Sequence, residues 1–224
     1  MSQLESITAI LPIKLGSERV ADKNYRILGG KRLYEYVLST LIECSLVNDV
    51  IVTTNDLRIA AELKNMEDVK VLSRPSTLAQ RDSSMNLVIE NVLGQVNGRF
   101  FVQVHATSPF LSPQTLEKGI RTFLSGDPLS SCFSATEIYG RLWSQAGEAL
   151  NHNPLKLVPT QDLTPVLLEN SAFYVFSREG FSQSSNRLHG LVRPVVIPEI
   201  EAWDIDYPWQ WEIAESIALQ RRED

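Results

Sequence analysis

Short apolar runs alternate with segments of helical spacing along the first 130 residues. The run SITAILPI (6–13) is apolar at nearly every position, which predicts a short strand with little polar contrast between its faces. GGKRLYEYVLSTLIE (29–43) then carries Leu33, Val37, Leu38, Leu41 and Ile42 at helical intervals, so one face of a helix is apolar. NDVIVTTN (48–55) is β-branched and short and reads as a second strand. Asp56 stands where it caps a helix over LRIAAELKN (57–65), and VKVLS (69–73) follows as a brief strand. SSMNLVIENVL (83–93) predicts a helix and GRFFVQVHA (98–106) another strand. Ser112 and Pro113 open a helix over QTLEKGIRTFL (114–124).

Strands alternating with helices in this way indicate an α/β protein built on a largely parallel sheet. The pattern changes after Ser130. SSCFSATEIYG (130–140), VLLENSAFYVFSR (166–178) and LVRPVVIPEI (191–200) are strand-like, and PWQWEIAESIALQRR (208–222) closes as a helix with proline in its first turn. No repeat or linker separates a second domain, so residues 1–224 are expected to form one, with 137–166 as an insert suited to a lid or dimer contact.

Composition narrows the class. With 224 residues, 43% of them hydrophobic, the chain can bury one sizeable core. A net charge of -6 without a basic cluster argues against a nucleic-acid partner. No run reaches the roughly 18 apolar residues of a membrane span, and the first ten residues lack a secretory pattern. Cys44 and Cys132 have no third cysteine and no metal-ligand spacing, so two free thiols and a cytoplasmic location are expected.

Four polar stretches fall at predicted strand ends, where open α/β sheets collect ligands: residues 14–24, 55–56, 105–108 and the acidic pair near Asp204. In the first, Gly16 permits a sharp turn while Lys14, Arg19 and Lys23 can neutralise a polyphosphate. The Walker A spacing and the G-x-G-x-x-G fingerprint are both absent, and a solvated surface loop is the plainer reading. In WDID (203–206), an extended backbone would put Asp204 and Asp206 on one side, where they could hold Mg²⁺; Asp206 is also placed to cap the last helix. His105 follows an apolar run and reads first as a structural histidine. No G-x-S-x-G elbow supports a hydrolase nucleophile.

The ordered motifs resemble the acylneuraminate cytidylyltransferase family, the CMP-sialic acid synthetases, over nearly the whole chain. LPIKLGSERVADKN (11–24) is similar to the family's I-P-A-R-x-G-S-K-x-x-x-x-K-N loop, and VIVTTND (50–56) to its second-strand ending. SRPSTLAQRDSS (73–84) is similar to R-P-x-x-L-A-x-D, and HATSPFL (105–111) to Q-P-T-S-P. QDLTPVLLENSAFYVF (161–176) resembles Q-D-L-P-P-x-Y-x-x-N-G-A-x-Y, and WDIDYPWQWEIAE (203–215) resembles D-I-D-x-x-x-D-x-x-x-A-E.

The resemblance implies a three-layer α/β/α Rossmann-like nucleotidyltransferase fold with a mostly parallel mixed sheet, and a homodimer. It implies transfer of CMP from CTP to the anomeric hydroxyl of a nine-carbon, sialic-acid-like 2-keto sugar acid, with pyrophosphate released and Mg²⁺ as cofactor. By the same resemblance Lys14, Lys23 and Asp206 are catalytic. Leu15, Gly16, Ser17, Asn24, Arg74 and Asp82 lie on the nucleotide side. His105, Thr107, Ser108 and Gln161 lie on the sugar side, and Asp204 and Asp206 bind metal. Alternatives are another NTP or acceptor on the same fold, or a nucleotide-binding protein without turnover. The chain departs from the pattern at Lys14 (arginine in the family), Glu18 (lysine, with Arg19 following here), His105 and Ala106 (Gln-Pro), Thr160 (arginine) and Ser171 (glycine). Most of these fall on the sugar side, which implies a relative of sialic acid as acceptor.

Overall fold

A computed structural model of the protein describes residues 6–17 and 19–223. Its strands are β1 (Ile7–Ile13), β2 (Ile27–Leu28), β3 (Lys31–Arg32), β4 (Val47–Thr54), β5 (Val69–Ser73), β6 (Phe100–Val104), β7 (Ser131–Ile138), β8 (Val166–Ser177) and β9 (Val192–Val196). The helices are α1 (Leu33–Glu43), α2 (Leu57–Leu63), α3 (Met85–Leu93), α4 (Pro113–Leu124), α5 (Arg178–Ser184) and α6 (Pro208–Glu223).

Seven strands form one sheet in the order β5-β4-β1-β6-β8-β7-β9. β5, β4, β1 and β6 run parallel, β8 is antiparallel to both its neighbours, and β9 is parallel to β7. This is the mostly parallel mixed sheet expected from the sequence. Alternate residues of β1 enter different cores, as a strand covered on both faces requires. Ile7, Ala9, Leu11 and Ile13 join α1, α2 and α4 on one face, while Ile10 meets α3 and α5 on the other.

A third cluster lies outside both layers. Val20 and Leu28 from the first loop pack with Phe110, Ile205 and Trp211, and Ala214 and Ala218 of α6 complete it. The β2–β3 hairpin fits beneath α6 because its turn is Gly29-Gly30, with φ of 53° and 108°. A Cβ on Gly29 would lie 2.6 Å from Cβ of Ala218.

The helix starts follow their cap residues. Asp56 accepts from the Arg58 amide, Ser84 from Asn86 and Ser112 from Thr115. α6 begins differently. Gln210 Oε1 accepts from the amides of Asp206 and Tyr207 at 2.7 and 2.8 Å, leaving the Asp206 carboxylate free of capping. Residues 139–165 form a long connection between β7 and β8, whose pairing ends at Ile138↔Val166.

Close packing of α4 on β8 gives a direct stability test. A Cβ at Gly119 would fall 2.4 Å from the fully buried Phe173 ring. G119A should therefore destabilise by about 1–3 kcal/mol in chemical denaturation, despite alanine's better helix propensity. Unchanged or higher stability would mean that this contact is not tight.

Candidate nucleotide-binding site

β1, β4 and β6 end at the same edge of the sheet, and a cleft of about 660 Å³ opens there. Among the described residues its wall carries Lys14, Arg19, Lys23, Arg74 and Arg81 against one carboxylate, Asp206. So much positive charge on concave, partly desolvated walls focuses a field that attracts a polyanion.

The loop after β1 builds one wall. Gly16 turns the chain with φ 82°, and the Leu15 amide donates to Asn55 Oδ1 at 2.8 Å, fixing the loop to the end of β4. Asn24 Nδ2 donates to the Lys14 carbonyl at 3.1 Å, while its buried Oδ1 has no partner. Gly16, Ser17 and Asn24 line the cleft; Leu15 is half-exposed beside it. Glu18 lies outside the described residues.

Arg74 forms part of the opposite wall. Only 5% of it is exposed, and its Nε and Nη2 have no hydrogen-bond partner. Burial pushes its pKa down to about 10, still well above neutrality. A buried guanidinium with unused donors on a cleft wall is suited to an anionic or carbonyl-bearing ligand.

The WDID segment closes the floor. Ile205 is fully buried in the third cluster, and its amide donates to the Thr107 carbonyl at 3.0 Å. Burying Ile205 turns the flanking aspartates away from that core. Asp206 faces the cleft, with Lys23 Nζ 3.2 Å from Oδ1 and Arg19 Nη2 3.0 Å from Oδ2. Lys23 also donates to the Ile205 carbonyl. Asp204 instead lines an adjoining cleft of about 410 Å³ with Glu169, Asn170 and Ser171. Burial raises the Asp204 pKa, a hydrogen bond with Thr107 opposes this, and the nearby Asp206 charge adds to the rise.

Among the described residues no three His, Cys, Asp or Glu side chains gather as a metal site. Asp204 and Asp206 could still hold a hard cation that takes its remaining ligands from phosphate and water, as Mg²⁺ does. The buried, unpartnered Asp204 Oδ1 fits such an ion. Asp206 would have to exchange its present cationic partners.

His105 and Thr107 line the main cleft, whereas Ser108 is buried beneath it with an unpartnered hydroxyl. Gln161 sits on an exposed turn in the 139–165 connection, and Asp82 is exposed; neither lines this cleft. Arg81 and Tyr207 do line it, each adjacent in sequence to a residue singled out by motif. Arg19 stacks on the Tyr207 ring at 4.7 Å. Sequence alone also misses a polar seam behind His105. There Arg187 lies 3.5 Å over the Tyr174 ring and bonds Gln103, while the Tyr174 hydroxyl bonds Glu169. These contacts cross from β6 to β8 and have no local sequence signature.

His105 is neutral at pH 7. Burial pushes its pKa down to about 3, with the positive charges of Arg187 and Lys23 adding to the effect. Because the folded value lies below the roughly 6.5 of free imidazole, the unfolded chain takes up the proton first on acidification. Its stabilising contribution is intact above about pH 6.5 and is lost as pH falls towards 3. H105Q should remove this dependence, retaining about 1–2 kcal/mol that the native chain loses between pH 7 and 5. Parallel denaturation curves for the two proteins across that range would contradict it.

Comparison with known proteins places the chain among nucleotidyltransferases of related fold. A family model described as Cytidylyltransferase matches residues 8–190. N-acylneuraminate cytidylyltransferase A of Danio rerio is 25% identical over 214 residues, covering 90% of this chain and 49% of the relative. The chain thus spans about half the length of that relative. CMP-N,N'-diacetyllegionaminic acid synthase of Legionella pneumophila is 24% identical, with 94% of this chain and 95% of the relative covered. Among solved structures, a CMP:2-keto-3-deoxy-manno-octonic acid synthetase complexed with CTP superposes with a TM-score of 0.72 at 15% identity, covering 97% of this chain and 100% of that one. That likeness establishes the nucleotidyltransferase fold. With the family model matching most of its length, the chain belongs to the cytidylyltransferase family.

Proposed function

We propose that the protein transfers CMP from CTP to the anomeric hydroxyl of a nonulosonic, sialic-acid-like 2-keto sugar acid. The observation that carries this reading is the cationic cleft closed on its floor by Asp206, with the unpartnered Oδ1 of Asp204 behind it. The Legionella relative, similar along almost its whole length, supports a nine-carbon acidic acceptor.

In the proposed reaction the acceptor hydroxyl gives its proton to a carboxylate of the Asp204–Asp206 pair as its oxygen bonds the α-phosphorus of CTP. The bond to the β-phosphate bridging oxygen breaks, and pyrophosphate leaves. Lys14, Lys23 and Arg19 hold the triphosphate and offset charge developing on the leaving phosphates. Arg74 and Asn24 offer unused polar atoms to the nucleotide. Neutral His105, with Nε2 buried and unpartnered, can hydrogen-bond the acceptor without adding charge. Mg²⁺, held by Asp204 and Asp206, would supply further charge neutralisation at the phosphates. Most of the acceleration is assigned to positioning and fixed electrostatics, because the protein forms no bond to substrate.

We further propose a homodimer formed through the β7–β8 connection, in a reducing cytoplasmic setting that suits the two buried free cysteines. Leu150, Leu155 and Leu157 on that connection are 63, 95 and 78% exposed, an apolar surface suited to a second copy. Gln161 on the same connection would then serve the partner's cleft.

Pyrophosphate release should require CTP together with a nonulosonic acid, and CTP should bind in preference to GTP and UTP. Folded protein that gives no product with any such acceptor, or that prefers GTP, would reject the reading. D206N tests the floor. It should lower turnover by about 100-fold or more. Freed from Asp206, Arg19 and Lys23 should bind CTP up to about fivefold more tightly in the absence of divalent cation. Weaker metal-free binding by D206N would exclude competition between this carboxylate and the triphosphate.

A further inference from the structure

Lys23 and Asn24 reach into the cleft from a short loop in which Asp22 takes the left-handed turn conformation, φ 50°, that aspartate tolerates. The next residue, Tyr25, points away from the cleft and is held from behind. The Arg32 guanidinium lies 3.7 Å and the Arg58 guanidinium 4.2 Å from the centre of its ring. Its hydroxyl donates to Glu62 Oε1 at 2.6 Å.

These partners are themselves fixed. Glu62 also accepts from the buried Tyr34 at 2.7 Å and from Arg32 Nη2 at 2.8 Å. Arg58 forks onto Asp56, at 3.0 Å from Nε and 2.8 Å from Nη2, and reaches Asp22 at 3.0 Å. Arg58 and Glu62 are four residues apart on α2, so one helix face carries both contacts to Tyr25. Asp56 is buried and caps that helix, which seats the assembly on the end of β4. The loop backbone is tied as well: the Tyr25 amide bonds Asp22, and the Tyr34 amide bonds Asn24.

We propose that Tyr25, clamped between Arg32 and Arg58 and bonded to Glu62, is a positioning residue that sets Lys23 and Asn24 for the triphosphate. This rests on the reading of the cleft as a nucleotide site. Lys23 cannot find its place from local forces alone, because its ammonium group must meet Ile205 and Asp206 from the far end of the chain. A rigid aromatic plate one turn behind it fixes the direction of approach. Two exposed cation–π contacts of this kind are each modest, but both act on the same ring, and loss of the ring frees the whole loop.

The test is CTP binding by calorimetry to the full chain in a double-mutant cycle. Y25L should weaken CTP binding about five- to tenfold, the range expected for losing two cation–π contacts. Y25F, which keeps the ring, should restore most of that loss. Once K23A has removed the group being positioned, Y25L should cost much less than in the native background. R58K keeps the charge but loses the planar fork, and gives a milder loss in the same direction should Y25L fold poorly. Fully additive losses from Y25L and K23A, or binding by Y25L and R58K equal to the native chain, would overturn the positioning role while leaving the nucleotide site intact. A native chain that binds no CTP would remove the nucleotide reading and this proposal with it.

Discussion

The site depends on one burial event, the insertion of Ile205 into the small third core. Val20, Leu28 and Trp211 enclose that side chain and bring the two ends of the sequence together. An extended backbone alternates its side chains, so sinking Ile205 leaves Asp204 and Asp206 to face the polar side. Lys23 then locks the arrangement by bonding both the Ile205 carbonyl and the Asp206 carboxylate. Its contacts lie 182 and 183 residues away, which makes the cleft a product of the complete fold rather than of either motif. The Gly29-Gly30 turn belongs to the same constraint, since α6 can cover this core only where the hairpin has no side chain in its way.

Buried polar groups without partners are uncommon in folded proteins and lower stability where they occur. Here Asn24 Oδ1, Arg74 Nε and Nη2, His105 Nε2, Ser108 Oγ and Asp204 Oδ1 all belong to the stretches at the carboxyl edge of the sheet. Asn24, Arg74 and His105 line the main cleft, where a ligand can satisfy them. The positive wall adds self-repulsion, which the Arg19–Asp206–Lys23 contacts relieve in the free protein. The groups that would grip a phosphate are therefore also those that hold the closing carboxylate.

Much of the scaffold was legible because its signals are local. Apolar runs specified β1, β4 and β6, and Asp56, Ser84 and Ser112 began the helices beside them. The loop after β1 announced a phosphate-compatible surface through Gly16, Lys14 and Lys23. What was hidden depends on contacts between distant residues. The two-residue strands β2 and β3 have no periodicity to detect, and α5 is too short to show one. Arg81 rather than its neighbour Asp82 lines the cleft, a choice of side-chain direction that no spacing encodes. Asp204 and Asp206, expected to open together, border separate clefts because the chain beyond Ile205 turns into α6. Asp206 does not cap that helix, since Gln210 takes the amides and two cations take the carboxylate.

Two of the departures from the family pattern, His105 and Ser171, have a physical common ground in β8. Its register with β7 shifts between Phe133↔Tyr174 and Ala135↔Glu169, so Ser134 alone faces Asn170, Ser171, Ala172 and Phe173. The Ser134 hydroxyl accepts from the Phe173 amide at 3.0 Å, filling the gap left in the ladder. Ser171, where the family carries glycine, takes a φ of 61°, a conformation that costs a side-chain-bearing residue about 1–2 kcal/mol. Its hydroxyl donates to the Tyr174 oxygen at 3.0 Å, the phenol's own proton going to Glu169, which offsets part of that cost and links the bulge to the Arg187–Gln103 seam behind His105. The altered positions Ser171 and His105 thus meet through Tyr174. The wall proposed for the nucleotide packs against α2 and the third core, whereas the side proposed for the acceptor borders the β7–β8 bulge and its polar contacts. On the proposed reading, such a fold lets acceptor choice diverge while the triphosphate cradle is kept.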